Sequence, residues 1–292
     1  MGKNLFTGSC VALVTPFTED SINFAKLEEL IEWHIAQGTD AILTCGTTGE
    51  ASTMPDEEHL AVMKFTLSKI NRRVPVIAGT GSNDTKHAIY LSQIAESYGA
   101  DAILSVTPYY NKTTQEGIVR HFSAIAEKIA IPMVVYNVPS RTNLNIPPKT
   151  MKRLSDIPGI IGVKECNLPQ TPETRALTGP DFQIFSGEDG LVIPMLSLGG
   201  LGVISVMANI IPKDTHEMVH AWLSGNQARG LELQLKAIQL VEALFCETNP
   251  IPIKEAMNLM GMQVGACRMP LIEMGEAGRK QLESAMRAYG LI

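Results

Sequence analysis

Pro158-Gly159-Ile160-Ile161-Gly162-Val163-Lys164-Glu165 is the stretch on which the fold turns. Two turn formers precede a short apolar run, and charge follows it, which is how a buried strand reads. Lys164 closes that run. An ammonium at such a place is costly unless paired or neutralised, and burial favours the neutral amine. A neutral lysine is a nucleophile able to form an imine with a ketone or aldehyde. The competing reading is structural, with the side chain snorkelling to the surface or pairing with the adjacent Glu165.

Working outward, similar runs recur at Val11–Val14, Ala41–Thr44, Val76–Ala78, Ala102–Val106, Met133–Tyr136, Gln183–Phe185 and Val203–Val206. Amphipathic segments lie between them: Asn23–Gln37, Asp56–Ile70, Thr85–Tyr98, Gln115–Lys128 and Leu191–Leu198. Strands alternating with helices imply parallel pairing, and near-continuous apolar strands are those covered on both faces. Eight such units predict an α/β fold, a (β/α)8 TIM barrel. A doubly wound sheet is the alternative, but Thr15-Pro16-Phe17 stands where a glycine-rich dinucleotide loop would follow the first strand. After Gly225 the strand signals stop. Leu231–Phe245, Pro252–Met260 and Glu273–Tyr289 read as helices, broken at Asn249-Pro250 and Gly261. The expected division is a catalytic barrel over residues 1–225 and a C-terminal helical extension over 226–292.

The net charge is −6, with 24 basic and 30 acidic residues, which argues against nucleic acid or an anionic membrane as partner. Five scattered cysteines without CxxC spacing read as free thiols in a reducing compartment. No secretory-type opening and no apolar run long enough to span a bilayer are visible, so a cytoplasmic protein is expected.

In such a barrel, chemistry sits at the C-terminal ends of the strands. Strand two ends in Cys45-Gly46-Thr47-Thr48-Gly49-Glu50, strand four in Thr107-Pro108-Tyr109-Tyr110-Asn111 and strand seven in Ser186-Gly187-Glu188-Asp189. Strand five ends in Tyr136-Asn137-Val138-Pro139-Ser140-Arg141-Thr142. The Gly46–Gly49 turn offers backbone N–H groups and two hydroxyls to a carboxylate or phosphate, or it is an ordinary strand-to-helix loop. Tyr136 can shuttle protons or pack in the core. Arg141 can clamp a carboxylate or sit solvated on a loop.

These motifs, with Gly162-Val163-Lys164-Glu165, resemble the pyruvate-dependent class I aldolase and lyase family. The likeness runs from Phe6-Thr7-Gly8-Ser9 to Asn249-Pro250-Ile251-Pro252 and is strongest to the dihydrodipicolinate synthase branch. Arg141 in its Pro-Ser-Arg-Thr setting discriminates best, because sialic acid lyases lack arginine there. The resemblance implies that Lys164 forms an imine with pyruvate, which becomes an enamine. Thr47 and Thr48 would hold the pyruvate carboxylate, while Gly187 and Ile204 would contact pyruvate through backbone. Tyr136 would move protons at the imine, in a relay with Thr47 and with Tyr110 from a neighbouring subunit. Arg141 would grip aspartate semialdehyde. No cofactor and no catalytic metal are implied, and the expected assembly is a tetramer made of two tight dimers.

Family members inhibited by lysine bind it at the dimer interface, and the matching positions here are Ala51, Ser52, Asp56, His59, Asn83, His87 and Tyr109. His87 stands where an acid is expected and Asp56 where a histidine is, so inhibition is expected to be weak or absent. Cys166-Asn167-Leu168-Pro169 also departs from the family pattern after the lysine, and Cys166 reads as an inert thiol. Two rival functions remain, a pyruvate lyase acting on a sugar acid and a non-catalytic barrel. His216-Glu217-Met218-Val219-His220 matches the zinc-protease helix motif, but it falls on the helix after strand eight, outside the barrel. Val219, Trp222 and Leu223 make the apolar stripe of that helix, and the sequence offers no convincing third ligand.

Overall fold

Residues 4–292 are described by a computed structural model of the chain. Eight strands occur among them: β1 (Gly8–Ala12), β2 (Ala41–Thr44), β3 (Val76–Gly79), β4 (Ala102–Val106), β5 (Met133–Asn137), β6 (Ile160–Glu165), β7 (Gln183–Ser186) and β8 (Gly202–Ser205). They pair in chain order, all parallel, and β8 returns to β1 to close the barrel. The helices that follow the first four strands are α1 (Phe24–Ala36), α2 (Asp56–Ile70), α3 (Thr85–Ser97) and α4 (Gln115–Ala126). A one-turn α5 (Pro139–Thr142) and then α6 (Pro148–Ser155) follow β5, while α7 (Thr171–Thr178), α8 (Val192–Ser197) and α9 (Pro212–Leu223) follow the last three strands. The tail holds α10 (Gln227–Leu244), α11 (Ile251–Leu259) and α12 (Glu276–Tyr289). No helix among the described residues is long and apolar enough to cross a membrane.

The period-two alternation of strand side chains divides the buried residues into two clusters. Cys10, Ala12, Leu43, Ile77, Leu104, Val134, Tyr136, Phe185 and Ile204 fill the inside of the barrel, where Phe6 stacks on Phe185 with ring centroids 4.3 Å apart. Val11, Ile42, Ala78, Ile103, Val135, Val163, Ile184 and Val203 face the helices instead. On β6 this alternation sends Gly162 and Lys164 inward, and Val163 and Glu165 outward. Gly162 is required where it stands, because a Cβ there would lie 2.2 Å from the Gln183 carbonyl oxygen.

The structure departs from the sequence expectations mainly at element ends. β1 begins three residues before Val11, since small Gly8 and polar Ser9 carry the ladder with Gly202 and Val203. Leu13 and Val14 lie beyond the strand but are buried, so hydrophobicity alone extends the run too far. Lys164 is the penultimate residue of β6, and Glu165 still pairs in register with Ser186. The short α5, α6 and α7 escape an apolar-periodicity reading because they are brief and polar, and each starts with a proline at its first or second position. α10 starts at Gln227, before the expected Leu231, because Asn226 caps it by accepting from the Arg229 N–H. α12 starts at Glu276, not Glu273.

The tail is bound to the barrel by apolar packing and by polar ties. Leu233, Ala237, Leu240, Leu282 and Met286 join the cluster that covers the strands. Lys254 Nζ of α11 reaches Glu50 Oε1 at 2.8 Å behind strand two, and Arg268 pairs with Glu58 of α2.

Phe185 is fully buried in the barrel's interior cluster. Phe185→Ala is expected to cost about 3–5 kcal/mol of stability, read as a fall in the denaturant midpoint.

Candidate active site

The C-terminal ends of the strands open into a cavity of about 610 Å³. Lys164, Tyr136, Thr47, Thr48, Arg141 and Gly187 all line it. The barrel register explains the first pair: Tyr136 on β5 is the direct neighbour of Lys164 on β6, and both point inward. Lys164 is 5% exposed, and its Nζ lies 4.3 Å from the centroid of the Tyr136 ring.

No carboxylate among the described residues lies within ion-pair distance of Lys164. Glu165, the partner offered by the structural reading, faces away and accepts from Asn137 Nδ2 (2.8 Å), the Asn167 N–H (2.7 Å) and Gln170 Nε2 (2.9 Å). Its own burial pushes its carboxyl up to about 7, against those hydrogen bonds. Burial lowers the Lys164 pKa from its ordinary value, while Cys166, Asp189, Cys10 and Glu188 oppose the shift from farther away. Burial likewise raises the Tyr136 phenol well above its ordinary range, so it remains a proton donor. The Cys166 thiol is also raised by burial, which keeps it in the unreactive form. Gly187 leaves room for this group: a Cβ there would lie 2.4 Å from Cys166 Sγ and 3.2 Å from Lys164 Cε.

The Gly46–Glu50 turn is shaped by its neighbours. Cys45 and Glu50 both adopt φ of +54°, a conformation that non-glycine residues take only under constraint. Gly79 of β3 makes room, since a Cβ on it would lie 2.1 Å from the Cys45 carbonyl oxygen. Thr15 Oγ1 donates to the Gly49 carbonyl at 2.7 Å. The amides of Thr47 and Thr48 have no hydrogen-bond partner among the described residues, which leaves two donors for an anion. Asn249 Nδ2 donates to Thr48 Oγ1 at 3.1 Å, and the Asn249 carbonyl accepts from Arg141 Nη2 at 3.2 Å. Asn249 therefore links the threonine turn to the arginine. In sequence Asn249 reads as a helix breaker and as part of the family likeness but not as a site residue, because its partners lie roughly one and two hundred residues away along the chain.

Not every expected residue joins the cavity. Tyr110 is 92% exposed at φ +66° and stands outside it. Ile204 is buried inside the barrel, among the interior residues and not on the cavity wall. Six of the seven positions marked as an effector site line the same cavity, and Asn83 touches its edge by donating to the Tyr109 carbonyl at 3.2 Å. Asp56 and His87 meet directly, His87 Nε2 standing 3.0 Å from Asp56 Oδ1.

His216 and His220 lie at the other end of the barrel, on α9, packed by Met218 and Val219; Leu223 is exposed and adds nothing to that stripe. The third donor that the sequence did not reveal is Asp40, just before β2. Glu217, the residue a zinc protease would use as base, is held by Arg229 Nε at 2.7 Å.

The Dihydrodipicolinate synthetase family profile matches residues 5–289. A 4-hydroxy-tetrahydrodipicolinate synthase from Acetivibrio thermocellus is 60% identical over 292 residues, all of both chains. A crystal structure of a dihydrodipicolinate synthase superposes with a TM-score of 0.96 at 47% identity, covering 98% of this chain and 100% of that one. The chloride-inhibited synthase from Acinetobacter baumannii, complexed with pyruvate, superposes at 0.95 with 42% identity, covering 98% and 99%.

A buried amine without a counter-ion costs stability at every pH where the unfolded chain holds that lysine charged. The cost is greatest below the lowered folded-state value and fades as the pH rises from there to the ordinary lysine value of 10.5. Lys164→Met is therefore expected to raise the thermal midpoint by roughly 2–6 °C at pH 7, and less at pH 10. A fall in the midpoint would show that the amine is satisfied.

Proposed function

The chain belongs to the dihydrodipicolinate synthetase family, and from that membership we propose that it condenses pyruvate with L-aspartate 4-semialdehyde as a 4-hydroxy-tetrahydrodipicolinate synthase. The observation that carries the reading is the desolvated, unpaired Lys164 beside Tyr136, the threonine turn and Arg141 in one cavity.

The neutral Lys164 amine attacks the ketone carbon of pyruvate, and the carbinolamine loses its oxygen as water to give the imine. Tyr136, held protonated by burial, supplies the proton that the departing hydroxide needs. The N–H groups and hydroxyls of Thr47 and Thr48 hold the pyruvate carboxylate. Loss of a methyl proton gives the enamine, whose carbon attacks the aldehyde. The amino group of the semialdehyde portion then displaces Lys164 from the imine carbon, closing the ring and returning the free amine. Arg141 pairs with the semialdehyde carboxylate, and Asn249 sets the guanidinium direction. The imine itself is the electron sink, so the route calls on no cofactor. By this chemistry the enzyme is a Schiff-base-forming carbon–oxygen lyase of diaminopimelate and lysine synthesis.

The exposed Tyr110 fits a role in a neighbouring copy's site, in a tight dimer paired again into a tetramer. Five free cysteines, two of them buried, fit a reducing cytoplasm.

Borohydride added with pyruvate is expected to reduce the adduct onto Lys164, identified by peptide mass mapping. The pH midpoint for trapping should lie below 10.5, because burial favours the reactive neutral amine. Adduct on another lysine, or none, would overturn the mechanism. Arg141→Ala should still trap pyruvate but lose about 30- to 1,000-fold in kcat/KM for the semialdehyde.

Lysine is expected to inhibit weakly. The only acid of the effector positions, Asp56, already accepts from His87, so an incoming ammonium must compete for it. Half-inhibition in an initial-rate assay should need about millimolar lysine or more, and micromolar potency would refute this reading.

A further inference from the structure

At the base of the barrel, opposite the cavity, three side chains converge from distant parts of the sequence. Asp40 precedes β2, while His216 and His220 sit one turn apart on α9. His216 Nδ1 lies 2.9 Å from Asp40 Oδ2 and His220 Nε2 lies 2.9 Å from Asp40 Oδ1, with all ligand atoms within 4.8 Å of one another. The two imidazole rings are 4.1 Å apart between centroids. We propose that Asp40, His216 and His220 form a binding site for one divalent first-row metal ion, of the class that prefers imidazole with carboxylate, such as Zn2+.

The surroundings are built for these groups. Gly8 forms the floor: a Cβ there would lie 2.0 Å from Asp40 Oδ2 and 2.8 Å from His220 Nε2, so only glycine leaves the pocket open. The carboxylate is oriented by the Ser9 N–H, which donates to Asp40 Oδ2 at 2.7 Å, as hydrogen bonds to metal ligands commonly fix their direction. The side chains are 17%, 34% and 43% exposed for Asp40, His216 and His220, which leaves an entry path and room for water as a further ligand. Each Asp40 oxygen now accepts from one imidazole N–H, so the ion enters by displacing those two protons to solvent and spreading the donors around bonds of about 2.0–2.2 Å. Imidazole pairs with carboxylate favour zinc, nickel, cobalt or iron(II) over magnesium or calcium.

The site is a clamp between α9 and the start of β1 and β2, not a hydrolytic centre. Glu217 is engaged by Arg229, and the two histidines present different ring nitrogens, so the protease arrangement is not formed.

The test uses the full-length protein stripped with a chelator and exchanged into chelator-free buffer. Titration calorimetry with Zn2+ should give about one ion per chain, and the thermal midpoint should rise by about 5 °C or more at free Zn2+ a hundred-fold above Kd. His216→Gln, His220→Gln and Asp40→Asn should each weaken binding tenfold or more, while Glu217→Gln leaves it unchanged. Should these variants fold poorly, Co2+ added to the wild-type protein gives an independent reading, through visible absorption characteristic of imidazole ligation that excess Zn2+ abolishes. No saturable Zn2+ binding by the wild type, or unchanged binding in the His216→Gln/His220→Gln double variant, would overturn the proposal. In the first case the triad is only a hydrogen-bonded staple, and in the second the ion sits elsewhere, as beside Asp56 and His87.

Discussion

The site rests on one constraint: an amine must stay desolvated without a counter-ion close enough to satisfy it. The molecule buries a second lysine and treats it in the opposite way. Lys254 Nζ bonds Glu50 at 2.8 Å and the carbonyls of Ala266 and Thr15 at 2.7 and 3.2 Å. All three of its protons have acceptors, so its charge is compensated and its job is to hold. Both amines face an aromatic ring, Lys254 over Phe17 at 4.4 Å and Lys164 over Tyr136 at 4.3 Å, but Lys164 has no carboxylate beside it. Carboxylates reach it only as weaker influences, from Asp189 and Glu188. That contrast separates the two lysines better than burial does, since burial lowers the pKa of both.

The two lysines are nevertheless coupled. Glu50, the partner of Lys254, ends the turn that carries Thr47 and Thr48, and it also accepts from the Arg268 N–H at 2.8 Å. Asn249 adds a second tie from the tail to Thr48 and a third to Arg141. The helical tail is thus the back wall of the site. A turn with two non-glycine residues in the left-handed region holds its shape only when neighbours over-determine it, and the buried Glu50–Lys254 pair is one of those neighbours.

Much of this was legible in the chain, for reasons that can be named. Eight apolar runs imply a parallel closed sheet, and their strand-end positions put Lys164 and Tyr136 at the same rim. Arg141 and the threonine turn follow from their position just past strand ends. What stayed hidden depends on contacts between distant segments. Asn249 looked like punctuation and proves to bridge two walls of the cavity. Asp40 carries no signal in the sequence, although Ser9 and two histidines from the far end of the barrel sequence meet on it. The swapped pair at 56 and 87 was visible as two separate departures, and only the fold shows that they answer each other across 3.0 Å. Periodicity reports which face a side chain takes, whereas closure of the barrel decides which strangers meet there.

The two ends of the barrel divide the labour along the strand direction. At the C-terminal rim, polar groups are left short of partners: the Thr47 and Thr48 amides, the Lys164 amine and the buried Asn249 Oδ1. Each is a cost in the free protein that a ligand carrying the right complement can repay on binding. At the N-terminal base both oxygens of Asp40 have donors, which fastens the start of β1 to β2 and α9, although Ser9 Oγ there lacks a partner among the described residues. Parallel strands make this division possible, since every strand contributes its beginning to the fastened end and its end to the needy one. A barrel closed firmly below can hold an unsatisfied amine above.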